Sequence, residues 1–202
     1  MRIVCLLSVG IDSVVLLFRL KKSGHDLIPL FINYGQKSLK KELESATIAC
    51  SMLDLHLEVI DISGLSSIPS GLTNSEYSPI DYPVFPARNM ILLSIAASFA
   101  FSKSIQVIGI GVLNDSPFPD QTKFFLTAAE NVLTMSVDSN LKILAPLSDL
   151  NKLEVVRLAK ENNIPLGFTY SCYFGLEKPC GKCLSCKDRQ QVFNIEGIVD
   201  NP

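Results

Sequence analysis

The chain has 202 residues, of which 48% are hydrophobic and 19% charged, and its formal net charge is −2. This length and composition favour one core-rich globular domain, and the small negative charge gives no general attraction to nucleic acid or acidic membrane. The apolar run at the start is interrupted by Asp12, and the apolar stretch over residues 90–101 is too short to cross a bilayer. We therefore expect a cytoplasmic protein without a membrane segment.

Apolar runs alternate with helical patterns along the chain. The runs predict strands over residues 3–7, 27–32, 56–62, 105–110 and 141–144. Helical periodicity predicts helices over residues 14–22, 37–53, 90–103, 121–136 and 149–162. Because the strands are continuous apolar runs, they predict an α/β fold with an open, mainly parallel five-stranded sheet and helices on both faces. Between the third strand and the third helix, a Ser-, Gly- and Pro-rich composition predicts a long loop over residues 63–86.

A short polar loop joins the first predicted strand to the first predicted helix, and it contains Ser8, Gly10, Asp12 and Ser13. A Ser/Gly loop that opens a helix presents backbone amides and the positive end of the helix dipole to an anion, which suits a phosphate. Asp12 instead fits a nearby Mg²⁺ ion or a helix cap. By itself, the pattern fits a phosphate site and an ordinary helix cap equally well.

Four of the six cysteines are clustered near the C-terminal end, at Cys172, Cys180, Cys183 and Cys186. Four thiolates at this spacing are typical of a closed tetrahedral Zn²⁺ site, which we favour over an iron–sulfur cluster or free thiols. Clustered cysteines in a core-rich chain also argue against a disulfide scaffold. We expect residues 166–202 to form a zinc-binding segment packed on a nucleotide-binding domain of residues 1–165.

Motifs spread over almost the whole chain resemble those of the 7-cyano-7-deazaguanine synthase (QueC) family, which belongs to the N-type ATP pyrophosphatases. The segment Ser8-Val9-Gly10-Ile11-Asp12-Ser13 is similar to the SGGxDS pyrophosphate loop of that superfamily. The other motifs follow in family order: Asn33-Tyr34-Gly35-Gln36, Pro86-Ala87-Arg88-Asn89, Phe118-Pro119-Asp120, Pro146-Leu147 with Lys152, and Ser171-Cys172-Tyr173 with the remaining three clustered cysteines. The resemblance implies an adenine-nucleotide alpha-hydrolase-like fold.

The resemblance also implies a reaction. Family members convert 7-carboxy-7-deazaguanine to the 7-cyano base (preQ0) of queuosine biosynthesis, using ATP and ammonia. Adenylation makes AMP the leaving group, ammonia then gives an amide, and activation of the amide oxygen followed by elimination gives the nitrile. ATP, Mg²⁺ and Zn²⁺ are the implied cofactors. A homodimer is expected, with no direct nucleic-acid binding.

Roles for individual residues follow from the same resemblance. The pyrophosphate and its Mg²⁺ are expected on Ser8, Val9, Gly10, Ile11, Asp12 and Ser13. The catalytic candidates are Asp12, Arg88, Asp120 and Lys152. The substrate-binding candidates are Tyr34, Gln36, Arg88, Asn89 and Asp120. The planar guanidinium of Arg88 can clamp a carboxylate or a phosphate, although a salt bridge under the sheet edge fits the sequence about as well.

Val9 stands where the family has glycine. A β-branched residue resists a positive φ, and we expect its side chain to crowd the approach of phosphate, so that the loop is rebuilt or ATP binding is weakened. This departure keeps two alternatives to nitrile synthesis open. One is a paralog that transfers the activated acid to another nucleophile, such as a protein amine or a DNA-modification substrate, in a defence or DNA-modification pathway. The other is a catalytically degenerate, zinc-tied nucleotide-binding subunit.

Overall fold

The computed structural model describes residues 1–73 and 76–200. Its five strands are β1 Arg2–Leu6, β2 Asp26–Asn33, β3 Glu58–Asp61, β4 Val107–Gly109 and β5 Lys142–Leu144. Its α-helices are α1 Ile11–Lys22, α2 Leu39–Met52, α3 Arg88–Ser102, α4 Lys123–Val137, α5 Lys152–Glu161 and α6 Leu184–Glu196. The strands form one parallel sheet in the order β3-β2-β1-β4-β5. The predicted α/β class and five-stranded parallel sheet are confirmed.

The central strand, β1, is buried on both faces. Ile3 and Cys5 pack into a core formed with α1, α2, α5 and α6, whereas Val4 and Leu6 pack into a second core formed with α3 and α4. This double burial is the reason that β1 is a continuous apolar run rather than an alternating one. No helix among the described residues combines the length and apolar character needed to cross a membrane.

The long loop predicted over residues 63–86 contains a 3-10 turn, Ser63–Ser67, and otherwise no helix or strand among its described residues. Residues 74 and 75 lie outside the described part of the chain. The helix predicted to begin at residue 121 begins instead at Lys123, after a second 3-10 turn, Pro119–Gln121. Thr122 caps it by accepting a hydrogen bond from the Phe125 amide at 3.1 Å. Asp120 is therefore not the cap of this helix.

Helix α6 was not predicted from the sequence. Its buried residues are Cys186, Arg189, Val192 and Phe193, so an arginine interrupts the apolar periodicity of its inner face. Arg189 is only 4% exposed, and it forms an ion pair with Asp200 at 2.8 Å. Its guanidinium also lies 4.4 Å from the centre of the Phe193 ring. These interactions satisfy a buried cation and fix the last helix against the domain.

Val9 adopts the left-handed conformation, with φ at +54°, and so does Ala87, with φ at +57°. Val9 is the position at which the family that the sequence resembles has glycine. The Val9 side chain is fully buried in the core beside α1, and it does not line the cavity described below. The expectation that this side chain crowds an incoming phosphate is therefore wrong, because it points into the core. What remains is the backbone strain of a β-branched residue at positive φ.

The stability of Val9 variants tests this arrangement. Val9→Ala and Val9→Gly both lose the two buried γ-methyl groups, at a cost of about 1–3 kcal/mol, and glycine also loses Cβ, at about 0.8 kcal/mol. Only glycine relieves the left-handed strain of about 1–2 kcal/mol, which outweighs the loss of Cβ. We expect Val9→Gly to be the more stable of the two in urea unfolding, the reverse of the usual order. If Val9→Ala is the more stable variant, the turn is not strained in the folded protein.

Candidate active site

A cavity of about 780 Å³ opens at the carboxyl ends of the strands. Ligands of open parallel sheets bind at this edge. The segments that follow β1, β2 and β4 line it, together with the first turn of α5 and one side of α6. Gly111 follows β4 and passes so close to α1 that a Cβ there would lie 2.9 Å from the Asp12 carbonyl carbon and the Ser13 nitrogen. Only glycine fits between these two walls of the cavity.

The first end of the cavity is the loop between β1 and α1. Gly10 is the N-cap of α1, and no side chain accepts a hydrogen bond from the first-turn amides in the cap position. Ser13 Oγ donates to the Gly10 carbonyl at 3.1 Å, and Ser8 Oγ lies 3.4 Å from Ser13 Oγ. A Cβ added at Gly10 would meet nothing within 4 Å. The loop thus leaves open space beside first-turn amides that have no side-chain cap, as an anion site requires.

Asp12 and Lys152 form an ion pair at the edge of this loop. Lys152 Nζ lies 2.7 Å from Asp12 Oδ1 and 2.6 Å from Oδ2, while the Lys152 amide donates to Asp115 Oδ2 at 3.0 Å. Asp188 of α6 lies nearby; burial raises its pKa, and the positive charge of Lys152 opposes that shift. The structure thus brings together two residues that were singled out from the sequence, Asp12 in the first turn of α1 and Lys152 at the start of α5.

Arg88 begins α3 at the second end of the cavity. Its Nη1 donates to the Tyr34 hydroxyl at 3.4 Å, and it forms no ion pair with any described carboxylate. Burial opposes the charge of Arg88, but Tyr34, Tyr173 and Asp120 outweigh that effect and keep its pKa above the ordinary value. The alternative role for Arg88, a salt bridge under the sheet edge, is not observed among the described residues. Its guanidinium is available to an anionic ligand.

Asn89 and Asp120 are joined by two hydrogen bonds. The Asn89 amide donates to Asp120 Oδ2 at 3.1 Å, and the Asn89 side chain donates to the Asp120 carbonyl at 3.0 Å. The first of these bonds satisfies the backbone amide of Asn89 in the first turn of α3, where Ala87 provides no side-chain cap. Asp120 lines a smaller apolar pocket of about 410 Å³, which shares Arg88 and Tyr173 with the main cavity.

Gln36 and Glu42 lie on the wall formed by the segment after β2. Gln36 Oε1 accepts from the Tyr34 amide at 2.9 Å, and Gln36 Nε2 donates to Glu42 Oε2 at 2.9 Å. Ser38 Oγ donates to the other oxygen of Glu42 at 2.6 Å. The sequence analysis does not single out Glu42, because an acid in the first turn of a helix is the ordinary complement of the helix dipole.

The four clustered cysteines converge, with all their sulfur atoms within 4.8 Å of one another. Gly181 is left-handed, with φ at +66°, and the amides of Lys182 and Cys183 donate to Cys180 Sγ at 3.4 and 3.3 Å. Hydrogen bonds from the Cys183 side chain and from the Cys180 amide lower the pKa of Cys172, and burial opposes this shift. Tetrahedral Zn–S bonds of about 2.3 Å require sulfur atoms about 3.8 Å apart, so the donor set fits one metal ion.

The comparisons with known proteins agree with this arrangement. The sequence model described as "Queuosine biosynthesis protein QueC" matches residues 2–197. The 7-cyano-7-deazaguanine synthase of Caldicellulosiruptor bescii is 35% identical over 212 aligned positions, covering 99% of this chain and 96% of the relative. That of Methanobrevibacter smithii is 34% identical, covering 98% and 95%.

The chain belongs to the QueC family.

Solved structures with the same fold extend beyond QueC. The NMN synthetase of Francisella tularensis matches with a TM-score of 0.59 at 15% identity, covering 99% of this chain and 78% of that one. The NH3-dependent NAD synthetase of Campylobacter jejuni matches with a TM-score of 0.52 at 19% identity, covering 100% and 88%. These likenesses support the fold alone, and they confirm the predicted nucleotide alpha-hydrolase-like architecture.

One wall of this QueC cavity was not predicted from the sequence. The inner side of α6 contributes Leu184, Ser185, Asp188 and Gln191 to the lining. Cys183 is the N-cap of that helix, so the cysteine cluster fixes the helix that encloses the cavity. Arg189 interrupts the apolar periodicity of this helix, so the segment after the cysteines carries no clear helical signal. The cluster is therefore part of the construction of the site.

Removal of two sulfur ligands tests this coupling. The double variant Cys180→Ser, Cys183→Ser should lose its bound metal, measured by elemental analysis, and should fall at least about tenfold in ATP turnover because α6 is released. Cys50→Ala, which changes a buried cysteine of the core outside the cluster, is the matched control and should keep its metal. Unchanged metal content in the double variant would contradict the four-cysteine site.

Proposed function

We propose that the chain is a 7-cyano-7-deazaguanine synthase, an ATP-dependent ligase that converts 7-carboxy-7-deazaguanine and ammonia to the nitrile. The observation that carries the proposal is Arg88, a cation without a carboxylate partner among the described residues, in the same cavity as the Gly10 loop. The names and the near-complete coverage of the relatives favour nitrile synthesis over a paralog with another acceptor. Intact polar contacts around the loop also speak against a degenerate subunit.

ATP would bind with its phosphates on the loop between β1 and α1. The free amides at the start of α1 and the hydroxyls of Ser8 and Ser13 are donors for the pyrophosphate, and Val9 and Ile11 contribute through their backbones. Lys152 would supply a further positive charge. Mg²⁺ prefers oxygen ligands, and Asp12 is the carboxylate that would hold it beside the phosphates.

The acid would bind with its carboxylate toward Arg88. The guanidinium, held by the Tyr34 hydroxyl, orients the carboxylate for in-line attack on the α-phosphorus. The new O–P bond releases pyrophosphate, and ammonia then displaces AMP from the acyl carbon to give the amide. A second equivalent of ATP activates the amide oxygen, and loss of AMP and a proton leaves the nitrile. Asn89 and Asp120 would act by positioning Arg88 at the start of α3.

Zn²⁺ is the metal that we propose for the four cysteines, where it ties the segment around Cys172 to the start of α6. It would have a structural role, because four thiolates leave no open position. No disulfide joins any of the described cysteines, which supports a reducing, cytoplasmic location. A homodimer remains part of the proposal.

The product distribution tests the proposed function. Purified protein is incubated with ATP, Mg²⁺, 7-carboxy-7-deazaguanine and ammonium, and the products are identified by mass. We expect the nitrile together with AMP and pyrophosphate. AMP without nitrile, with the acid attached to an added protein or DNA fragment, would support the paralog instead. Absence of AMP under all conditions would leave only the degenerate subunit.

Arg88 variants test the placement of the acid. Arg88→Lys keeps the charge but loses the two-pronged geometry, so kcat/KM for the acid should fall about 100-fold, with a much smaller change in KM for ATP. Arg19→Gln, on the exposed side of α1, is the matched control. A raised KM for ATP with unchanged use of the acid would assign Arg88 to the phosphates.

A further inference from the structure

Glu42 is a half-buried carboxylate in the wall of the cavity, and no described lysine, arginine or histidine forms an ion pair with it. Its two oxygens accept only from neutral donors, Ser38 and Gln36. Burial raises the pKa of Glu42, while these hydrogen bonds and the charge of Arg88 oppose the shift. A desolvated carboxylate without a cation costs free energy unless its remaining lone pairs find donors. The fold alone does not supply those donors.

The remaining lone pairs of Glu42 fit a particular kind of ligand. Each carboxylate oxygen accepts more than one hydrogen bond, so the group can take two parallel N–H donors from a planar molecule. A guanine-type ring has such an edge, where a ring N–H lies next to the exocyclic 2-amino group. The opposite side of the proposed substrate carries the 7-carboxylate, which is the group suited to Arg88.

Both polar atoms of the Gln36 side chain are already hydrogen-bonded within the protein. Its carbonyl accepts from the Tyr34 amide, and its amide nitrogen is directed at Glu42. The Gln36 side chain thus orients the carboxylate, and it has little capacity left to contact a base edge itself. Glu42 lines the cavity and is the carboxylate among the described residues of this wall.

We propose that Glu42 binds the N–H edge of the deazaguanine ring and selects acids that carry the 2-amino group. This inference rests on the proposed function. It makes Glu42 a specificity-determining residue and Arg88 the clamp for the reacting carboxylate. Gln36 and Ser38 become positioning residues that hold the Glu42 carboxylate in one orientation.

The test compares 7-carboxy-7-deazaguanine with the analogue that lacks the 2-amino group. We expect the unsubstituted protein to use the analogue about 30-fold less efficiently in kcat/KM, because a hydrogen bond to a charged group is lost. Glu42→Gln should be slow with the full substrate, and its preference between the two acids should shrink to within about threefold. Glu44→Gln, which changes an acid on the outer side of the same helix, should keep the preference of the unsubstituted protein.

Equal use of both acids by the unsubstituted protein would overturn the proposal without any variant. A Glu42→Gln protein that is slow but keeps the full preference would assign Glu42 a purely structural role, and would overturn it too. If no nitrile forms from either acid, the proposed function fails. In that case calorimetric binding of the two acids without ATP still decides whether the 2-amino group is recognised through Glu42.

Discussion

The left-handed turn at Val9 is the constraint on which the site depends. It sends the valine side chain into the core and leaves the following amides facing the cavity. It also aims the Val9 carbonyl at the Tyr170 amide, which donates to it at 3.2 Å. Tyr170 lies two residues before Cys172, the first ligand of the cysteine cluster. The loop between β1 and α1 and the segment that leads into the cysteine cluster are consequently joined by this backbone hydrogen bond.

The charges of the cavity follow from this construction. Lys152 is paired with Asp12 beside the loop, whereas the guanidinium of Arg88 at the other end is held, among the described residues, by the Tyr34 hydroxyl. ATP and the acid are both anions, and two anions bind side by side only where separate cations meet them. Under the proposed function, the free energy spent in keeping Arg88 desolvated and unpaired would be recovered when the carboxylate binds. Glu42 would then face an N–H edge of the substrate, which offers donors rather than negative charge.

The sequence predicted the sheet well and the site unevenly. Strands covered by helices on both faces are apolar throughout, so β1 could be predicted from its composition alone. The direction of the Val9 side chain could not be predicted, because a valine in place of the motif's glycine does not indicate which side of the loop is buried. The partner of Asp120 was likewise hidden, because it lies on α3, an element distant in sequence. The last helix was missed because Arg189, which is paired with Asp200, occupies its buried face.

In the proposed mechanism, one cavity holds ATP and the acid so that a carboxylate oxygen attacks the α-phosphorus. The most direct measurement uses 7-carboxy-7-deazaguanine labelled with ¹⁸O in both carboxylate oxygens and determines the isotope content of the released AMP by mass spectrometry. Because each oxygen leaves the carbon as part of an AMP phosphate, the account predicts one ¹⁸O atom in each AMP formed during nitrile synthesis. Unlabelled AMP, with the ¹⁸O in water or in pyrophosphate, would contradict it.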